Sequence, residues 1–131
     1  MRVVDASVVL GWLLEEPGRS GDALEAHVSG AEPLVAPELL QYEIANALVR
    51  GAGLPGDLAR QAYANFEALA IETYSLDTPE YDATIALAAE RRLTVYDASY
   101  AVLARALGCR LVTADRKLAR ALERLDLVEL V

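Results

Sequence analysis

Three aspartates and one glutamate are spaced along the chain where they could share a cation. Asp5 follows the β-branched run Val3-Val4, Asp97 follows Thr94-Val95-Tyr96, and Asp115 follows Leu111-Val112-Thr113-Ala114. Each stands after a short apolar run and at or near the start of a helical pattern. Aspartate at a helix start is ordinarily a cap, favoured by the backbone N–H groups and dipole there. Capping accounts for any one of the three, but less well for three at the same end of one sheet.

Glu43 discriminates between these readings. It lies among Leu39, Leu40, Ile44, Ala45, Ala47 and Leu48, and Leu40, Ile44 and Leu48 repeat at i, i+4, i+8 as a buried helical stripe. Glu43 sits one residue beside that stripe, with Asn46 and Arg50 at i+3 and i+7 on a polar strip. A boundary ion pair with Arg50 is the ordinary explanation. A carboxylate beside a packed face needs a partner, since an unpaired buried charge costs several kcal/mol. Four clustered carboxylates repel one another, and a shared cation would be a partner for all four. An all-oxygen donor set suits Mg²⁺ or Mn²⁺ rather than zinc, and such a site can hydrolyse phosphodiesters through a bound water. Ser7 and Thr113 place hydroxyls beside Asp5 and Asp115, where they would orient a carboxylate or a water, or simply cap helices. Arg50, Arg91, Arg92 and Arg116 are the candidate rim contacts for an anionic substrate, with solvated surface charge as the alternative.

Other chemistry is excluded or disfavoured. His27 is the only histidine, and its neighbours Glu25 and Ala26 place it on a helix surface; with the single Cys109 it cannot build a zinc site. Histidine-based general-base catalysis is nearly ruled out. A lone cysteine forms no internal disulfide, reads as a small buried hydrophobe, and fits a reducing cytoplasm. The net charge of −8 argues against an extended nucleic-acid surface, though not against a compact basic patch. The apolar run Val8–Leu14 is too short to span a bilayer, so no membrane association or export is expected.

The elements that must position these residues alternate in type. Strands are expected at Arg2–Val4, Leu34–Ala36, Ile71–Leu76, Leu93–Tyr96 and Arg110–Thr113, with a possible short terminal strand at Leu127–Leu130. Helices are expected at Ser7–Leu14 (broken by Pro17-Gly18), Ser20–Ser29, Glu38–Arg50, Pro55–Leu69, Thr78–Arg91, Asp97–Leu107 and Arg116–Leu125. Strands separated by helices imply right-handed crossovers and a mostly parallel sheet covered on both faces. The expectation is an α/β protein, a three-layer α/β/α sandwich with a central five-stranded sheet, residues 1–131 forming one domain of ordinary size. In such folds ligands bind beyond the carboxyl ends of the strands, where the acids fall.

The motifs carrying the acids resemble those of PIN-domain ribonucleases. Val4-Asp5-Ala6-Ser7-Val8-Val9 is similar to the family's opening motif, Glu43-Ile44-Ala45-Asn46-Ala47-Leu48 to its helical Glu-x-x-Asn-x-Leu motif, Tyr96-Asp97-Ala98-Ser99-Tyr100-Ala101 to its third and Leu111-Val112-Thr113-Ala114-Asp115 to its last. The likeness covers essentially the whole chain in order, although Ala6 and Leu118 stand where many members have Thr and Phe. It implies a Mg²⁺- or Mn²⁺-dependent endoribonuclease acting on RNA, with Asp5, Glu43, Asp97 and Asp115 as metal-binding acids, Asp5 and Asp97 the most direct, and Ser7, Asn46 and Thr113 in support. Short proteins of this kind resemble the VapC-type toxins of toxin–antitoxin pairs, which implies a small antitoxin partner and a homodimer.

Competing readings are a solitary PIN nuclease without an antitoxin and a non-catalytic module whose acidic pocket binds a basic peptide. Asp5 lacks the adjacent acid of a receiver domain and the Asp-x-Asp of a haloacid-dehalogenase-type phosphatase, and no glycine-rich phosphate loop follows the first strand. Leu58, Ala62, Phe66 and Leu69 share one face of the fourth helix, with Ala59 and Tyr63 beside it. With Trp12 and Leu13 they form core or an apolar partner surface.

Overall fold

The structure, a computed structural model, describes residues 1–15 and 21–131. Strand β1 (Arg2–Val4) leads through Asp5 into helix α1 (Ala6–Leu13). Helix α2 (Asp22–Val28) precedes β2 (Leu34–Pro37), α3 (Leu39–Asn46) continues into a π-helical turn (Ala47–Gly51), and α4 (Gly56–Ala68) precedes β3 (Glu72–Tyr74). Helices α5 (Thr78–Arg91) and α6 (Val95–Ala106) follow, then β4 (Leu111–Thr113), α7 (Arg116–Leu122), a 3-10 turn (Glu123–Leu125) and β5 (Val128–Leu130). The expected Pro17-Gly18 break lies outside the described residues. Among the described residues no helix is long and apolar enough to cross a membrane.

The five strands form one sheet in the order β3-β2-β1-β4-β5, and every pairing is parallel. Apart from Arg2 at the start of β1, the three central strands are buried, and all but Arg2 and Thr113 are apolar, as parallel strands covered on both faces must largely be. From β1 the chain winds outward through β2 to β3, then returns across the sheet to β4 and on to β5. Right-handed crossovers therefore set α1–α4 on one face and α5–α7 on the other. Helices α1, α3 and α4 pack on one another, while α6 packs on α5 and over β1, β2 and β4. The reversal of winding places a topological switch point between β1 and β4, and a crevice opens at their carboxyl ends.

One expected strand is absent. Among the described residues Leu93–Tyr96 pairs with no strand, and β5, expected only as a short terminal piece, completes the sheet instead. Helix α5 ends as Arg92 takes a left-handed conformation (φ 55°), with the Leu93 N–H closing onto Ala88 O at 3.0 Å. Thr94 then caps α6, its hydroxyl accepting from the Asp97 N–H at 3.0 Å. The β-branched pattern of these residues mimics a strand, whereas Thr94-x-x-Asp97 is a helix-start signature. Capping prevails because only three residues, Arg92 to Thr94, return the chain directly from α5 into α6, and the apolar face of α6 is buried on the sheet.

His27 is also placed differently from expectation. It is half-buried, and its Nδ1 accepts from the Leu34 N–H at 3.0 Å while Nε2 stands 2.6 Å from Leu69 O. Since Nδ1 must accept, the ring is the neutral tautomer with its proton on Nε2, donating to Leu69. One side chain thus pins α2 to the start of β2 and the end of α4. Cys109 is half-buried against the core. Replacing His27 by Ala leaves a half-buried N–H and carbonyl without their partner and is expected to cost about 2 kcal/mol. Chemical denaturation checks this, and an unchanged midpoint refutes the pinning role.

Candidate metal centre

Asp5 is the last residue before α1 and is 6% exposed. Its position follows from β1, whose Val3 and Val4 lock into the core and deliver the next residue to the sheet edge. Asp5 Oδ1 accepts from the Ser7 backbone N–H at 3.0 Å and the Ser7 hydroxyl at 2.5 Å, while Oδ2 accepts from the Thr113 hydroxyl at 2.6 Å. The same hydroxyls reach onward. Ser7 Oγ accepts from the Ala114 N–H at 2.9 Å, and Thr113 Oγ1 accepts from the Asp115 N–H at 3.0 Å. With the Asp5 N–H on Val112 O at 3.2 Å, the network ties the carboxyl end of β1 to that of β4 across the switch point. Ser7 and Thr113 therefore do orient a carboxylate.

Glu43 enters from the other side of the crevice. Helix α3 buries Leu40 and Ile44 and leaves Glu43 half-buried beside them. Its partner is Tyr100 rather than Arg50: the Tyr100 hydroxyl donates to Glu43 Oε2 at 3.0 Å, and the ring is 1% exposed. This bond joins α3 on one face of the sheet to α6 on the other, over the strand ends. The sequence reading missed the part Tyr100 plays; its signal was a bulky phenol in the small-residue run Ala98-Ser99-Tyr100-Ala101, i+3 from Asp97.

Asp97 stands in the first turn of α6, not after a strand. Asp115 caps α7, with Oδ1 accepting from the Lys117 and Leu118 N–H groups at 2.8 and 3.2 Å. Capping thus describes one oxygen of Asp115, as the simpler reading had it. Charge still links all four acids. Burial raises Glu43 to about 7, opposed by the Tyr100 bond and reinforced by the charges of Asp97 and Asp5. Burial also raises Asp97, against a hydrogen bond from Thr94 and with the charge of Asp115 adding. Burial raises Asp5 against the Ser7 and Thr113 bonds. Tyr100 is pushed far up, first by burial and then by the neighbouring acids, so it remains a donor. Among the described residues no ion pair reaches any of the four acids.

The other sequence candidates lie further out. Asn46 and Arg50 are exposed on the far end of α3 and its π turn, Arg92 is exposed in the link between α5 and α6, and Arg116 is exposed beside Asp115. Arg91 turns to α7 instead, donating to Ala121 O at 3.2 Å and pairing with Glu90. Of the α4 face, Ala59, Phe66 and Leu69 are core, while Leu58 and, on α1, Trp12 stay about half exposed.

A sequence model described as the PIN domain matches residues 2–123. The chain belongs to the PIN-domain family. It is 35% identical over 124 residues to Ribonuclease VapC3 of Pyrobaculum aerophilum, covering 89% of this chain and 91% of that one. It is 37% identical over 100 residues to Exonuclease VapC9 of the same organism, covering 73% of this chain and 75% of that one. Its fold is similar to that of a toxin–antitoxin complex from Klebsiella pneumoniae, with a TM-score of 0.72 at 16% identity over 98% of this chain and 96% of that one.

The donor set of this PIN domain fits a hard divalent cation. It offers only carboxylate and hydroxyl oxygens, three of its acids are held above their ordinary range, and Asp5 Oδ2 keeps a second lone pair beside its Thr113 bond. Among the described residues no three acid, histidine or cysteine side chains stand close enough to form a closed cage. A cation that retains part of its water shell, as Mg²⁺ does, needs none.

The raised acids set a pH dependence. Glu43 binds its proton more tightly folded, at about 7, than at its ordinary 4.5. Between those values the native state holds more protons, so stability falls as pH rises through the window. Asp5 and Asp97 act in the same sense. In EDTA the melting temperature is expected to fall across that range, and Mn²⁺ to raise it more at about pH 8 than at about pH 5, since binding requires the ionised carboxylates. Differential scanning calorimetry reads both; a metal effect equal at the two pH values refutes the shared site.

Proposed function

We propose that the chain is a Mg²⁺- or Mn²⁺-dependent endoribonuclease, a single-domain PIN toxin (residues 1–131) of the VapC type acting on cytoplasmic RNA. The observation that carries the reading is the set of four acids at the switch point, linked by repulsion from Asp5 to Glu43, Glu43 to Asp97 and Asp97 to Asp115, with none in an ion pair among the described residues. Membership of the PIN family and the ribonuclease names of its relatives support RNA as substrate. The resemblance to VapC-type toxins implies the small antitoxin and the homodimer, and a toxin–antitoxin complex shares the fold.

Asp5, Glu43, Asp97 and Asp115 would hold the cation, which supplies charge neutralisation and Lewis-acid stabilisation of the phosphate under attack. Asp5 is the fixed ligand, because Ser7 and Thr113 leave its carboxylate one orientation. Tyr100 holds Glu43 Oε2 and so presents Oε1 to the crevice. With no histidine in the crevice, Glu43 Oε1 is the carboxylate oxygen left to take the proton of the attacking water. Arg50, Arg92 and Arg116 are the exposed charges available to grip phosphates.

Purified protein is expected to cut RNA with Mg²⁺ or Mn²⁺ and to stop in EDTA. Asp97→Asn should lower the rate by at least on the order of 100-fold, and Tyr100→Phe by on the order of tenfold, as losses of outer-shell partners do. Activity that survives EDTA refutes the mechanism. One relative is named an exonuclease, so a circular RNA is the deciding substrate: linearisation establishes internal cleavage, and resistance beside degradation of the linear form establishes the exonuclease instead.

A further inference from the structure

A cavity of about 150 Å³ opens at the same edge of the sheet as the acids, between the ends of β2 and β3 and the first turn of α6. Glu38, Leu39, Tyr74, Tyr81, Tyr96 and Ser99 are the walls that matter. Three of these walls, Leu39, Tyr96 and Ser99, belong to the helices that carry Glu43 and Asp97. Leu39 and Glu43 stand at i and i+4 on one face of α3, and Tyr96 immediately precedes Asp97 on α6. The cavity thus adjoins the two helices from which Glu43 and Asp97 project.

The lining chemistry excludes a phosphate. No arginine, lysine or histidine contributes, and Glu38 is the one charged residue among its walls. Three tyrosines surround an apolar interior, and Tyr81 and Tyr96 are 53% and 64% exposed, which leaves aromatic surface open to water. Such walls suit a flat, uncharged ring; base–aromatic stacking is the usual way a nuclease surface holds a single strand. The Ser99 hydroxyl is already committed to the Tyr96 carbonyl at 2.6 Å. The exposed Glu38 carboxylate accepts hydrogen bonds and cannot donate. It favours cytosine, adenine or guanine, whose exocyclic amino groups donate, over uracil, which has none.

We propose that this cavity is a nucleobase subsite, holding the base next to the scissile phosphate and selecting one with an exocyclic amino group. The inference rests on the ribonuclease reading above. It adds a source of specificity that the acids, which see only phosphate, do not provide.

The test uses the full chain with Mn²⁺ and short labelled single-stranded RNAs differing at one base beside the cut. Tyr96→Ala is expected to raise KM about tenfold, within the range for loss of one stacked base. Tyr96→Phe should restore the wild-type KM, and titration calorimetry should show the Mn²⁺ affinity of both variants unmoved. Glu38→Gln should erase the preference for amino-bearing bases over uracil. A KM unchanged in Tyr96→Ala overturns the subsite, as does an oligomer that dissociates in that variant, which makes the cavity a subunit contact. Fluorescence anisotropy separates the two readings. RNA that binds wild type about tenfold better than Tyr96→Ala, yet is never cut, keeps the subsite and removes the nuclease. RNA that is cut equally by both keeps the nuclease and removes the subsite.

Discussion

A buried carboxylate is tolerable only where donors surround it, and Asp5 meets that condition by drawing on two strands at once. Ser7 and Thr113 both donate to it, and each hydroxyl also receives a backbone N–H from the β4–α7 turn. The parallel pairing of β1 with β4, the start of α1 and the position of Asp115 all meet in this network. A sheet wound outward in both directions from its centre has a gap between the two central strands at their carboxyl ends. Here the gap is bridged by a negative charge. The fold therefore delivers its most constrained anion to the place where a ligand has room.

The other acids accept a cost for the same placement. Glu43 stands beside a packed stripe with a neutral phenol as its partner, and it feels Asp97 and Asp5 through a medium that screens poorly. A guanidinium in place of Tyr100 would relieve that repulsion and fill the site. Tyr100 fixes one oxygen of Glu43 without adding charge, so the crevice remains anionic. This is local strain of the electrostatic kind, stored at the candidate site and sustained by the hydrophobic packing of α3 and α6 behind it.

The chain carries a net charge of −8, which repels nucleic acid at long range. Grip must then be local. On the proposed reading, exposed arginines would offer it as charge for the phosphates, and the tyrosine-lined cavity as stacking for a base. The cavity lies where α3 and α6 converge, because the two helices that carry Glu43 and Asp97 also wall it.

Much of this was legible in the residues. Val3-Val4, Leu34-Val35-Ala36 and Leu111-Val112-Thr113 are strands because β-branched and aliphatic runs of that length bury on both faces, and the periodicity of Leu40, Ile44 and Leu48 located Glu43. The four acids could be singled out as candidates by their types and by their places after apolar runs or beside a buried stripe. Leu93–Tyr96 misled, since local β-propensity is weak and the cap at Thr94 together with the packing of α6 overrode it. His27, read as surface, became a pin because its partners lie 7 and 42 residues away. Sequence by itself determined most of the elements and which carboxylates they carry, because periodicity and capping act within a few residues. Only the tertiary structure decided that Tyr100 meets Glu43 across the sheet, that Asp5 binds Thr113, and that a tyrosine-lined cavity adjoins Asp97. Those contacts join residues far apart in the chain, and their partners are chosen by the winding of the sheet, which no local pattern encodes.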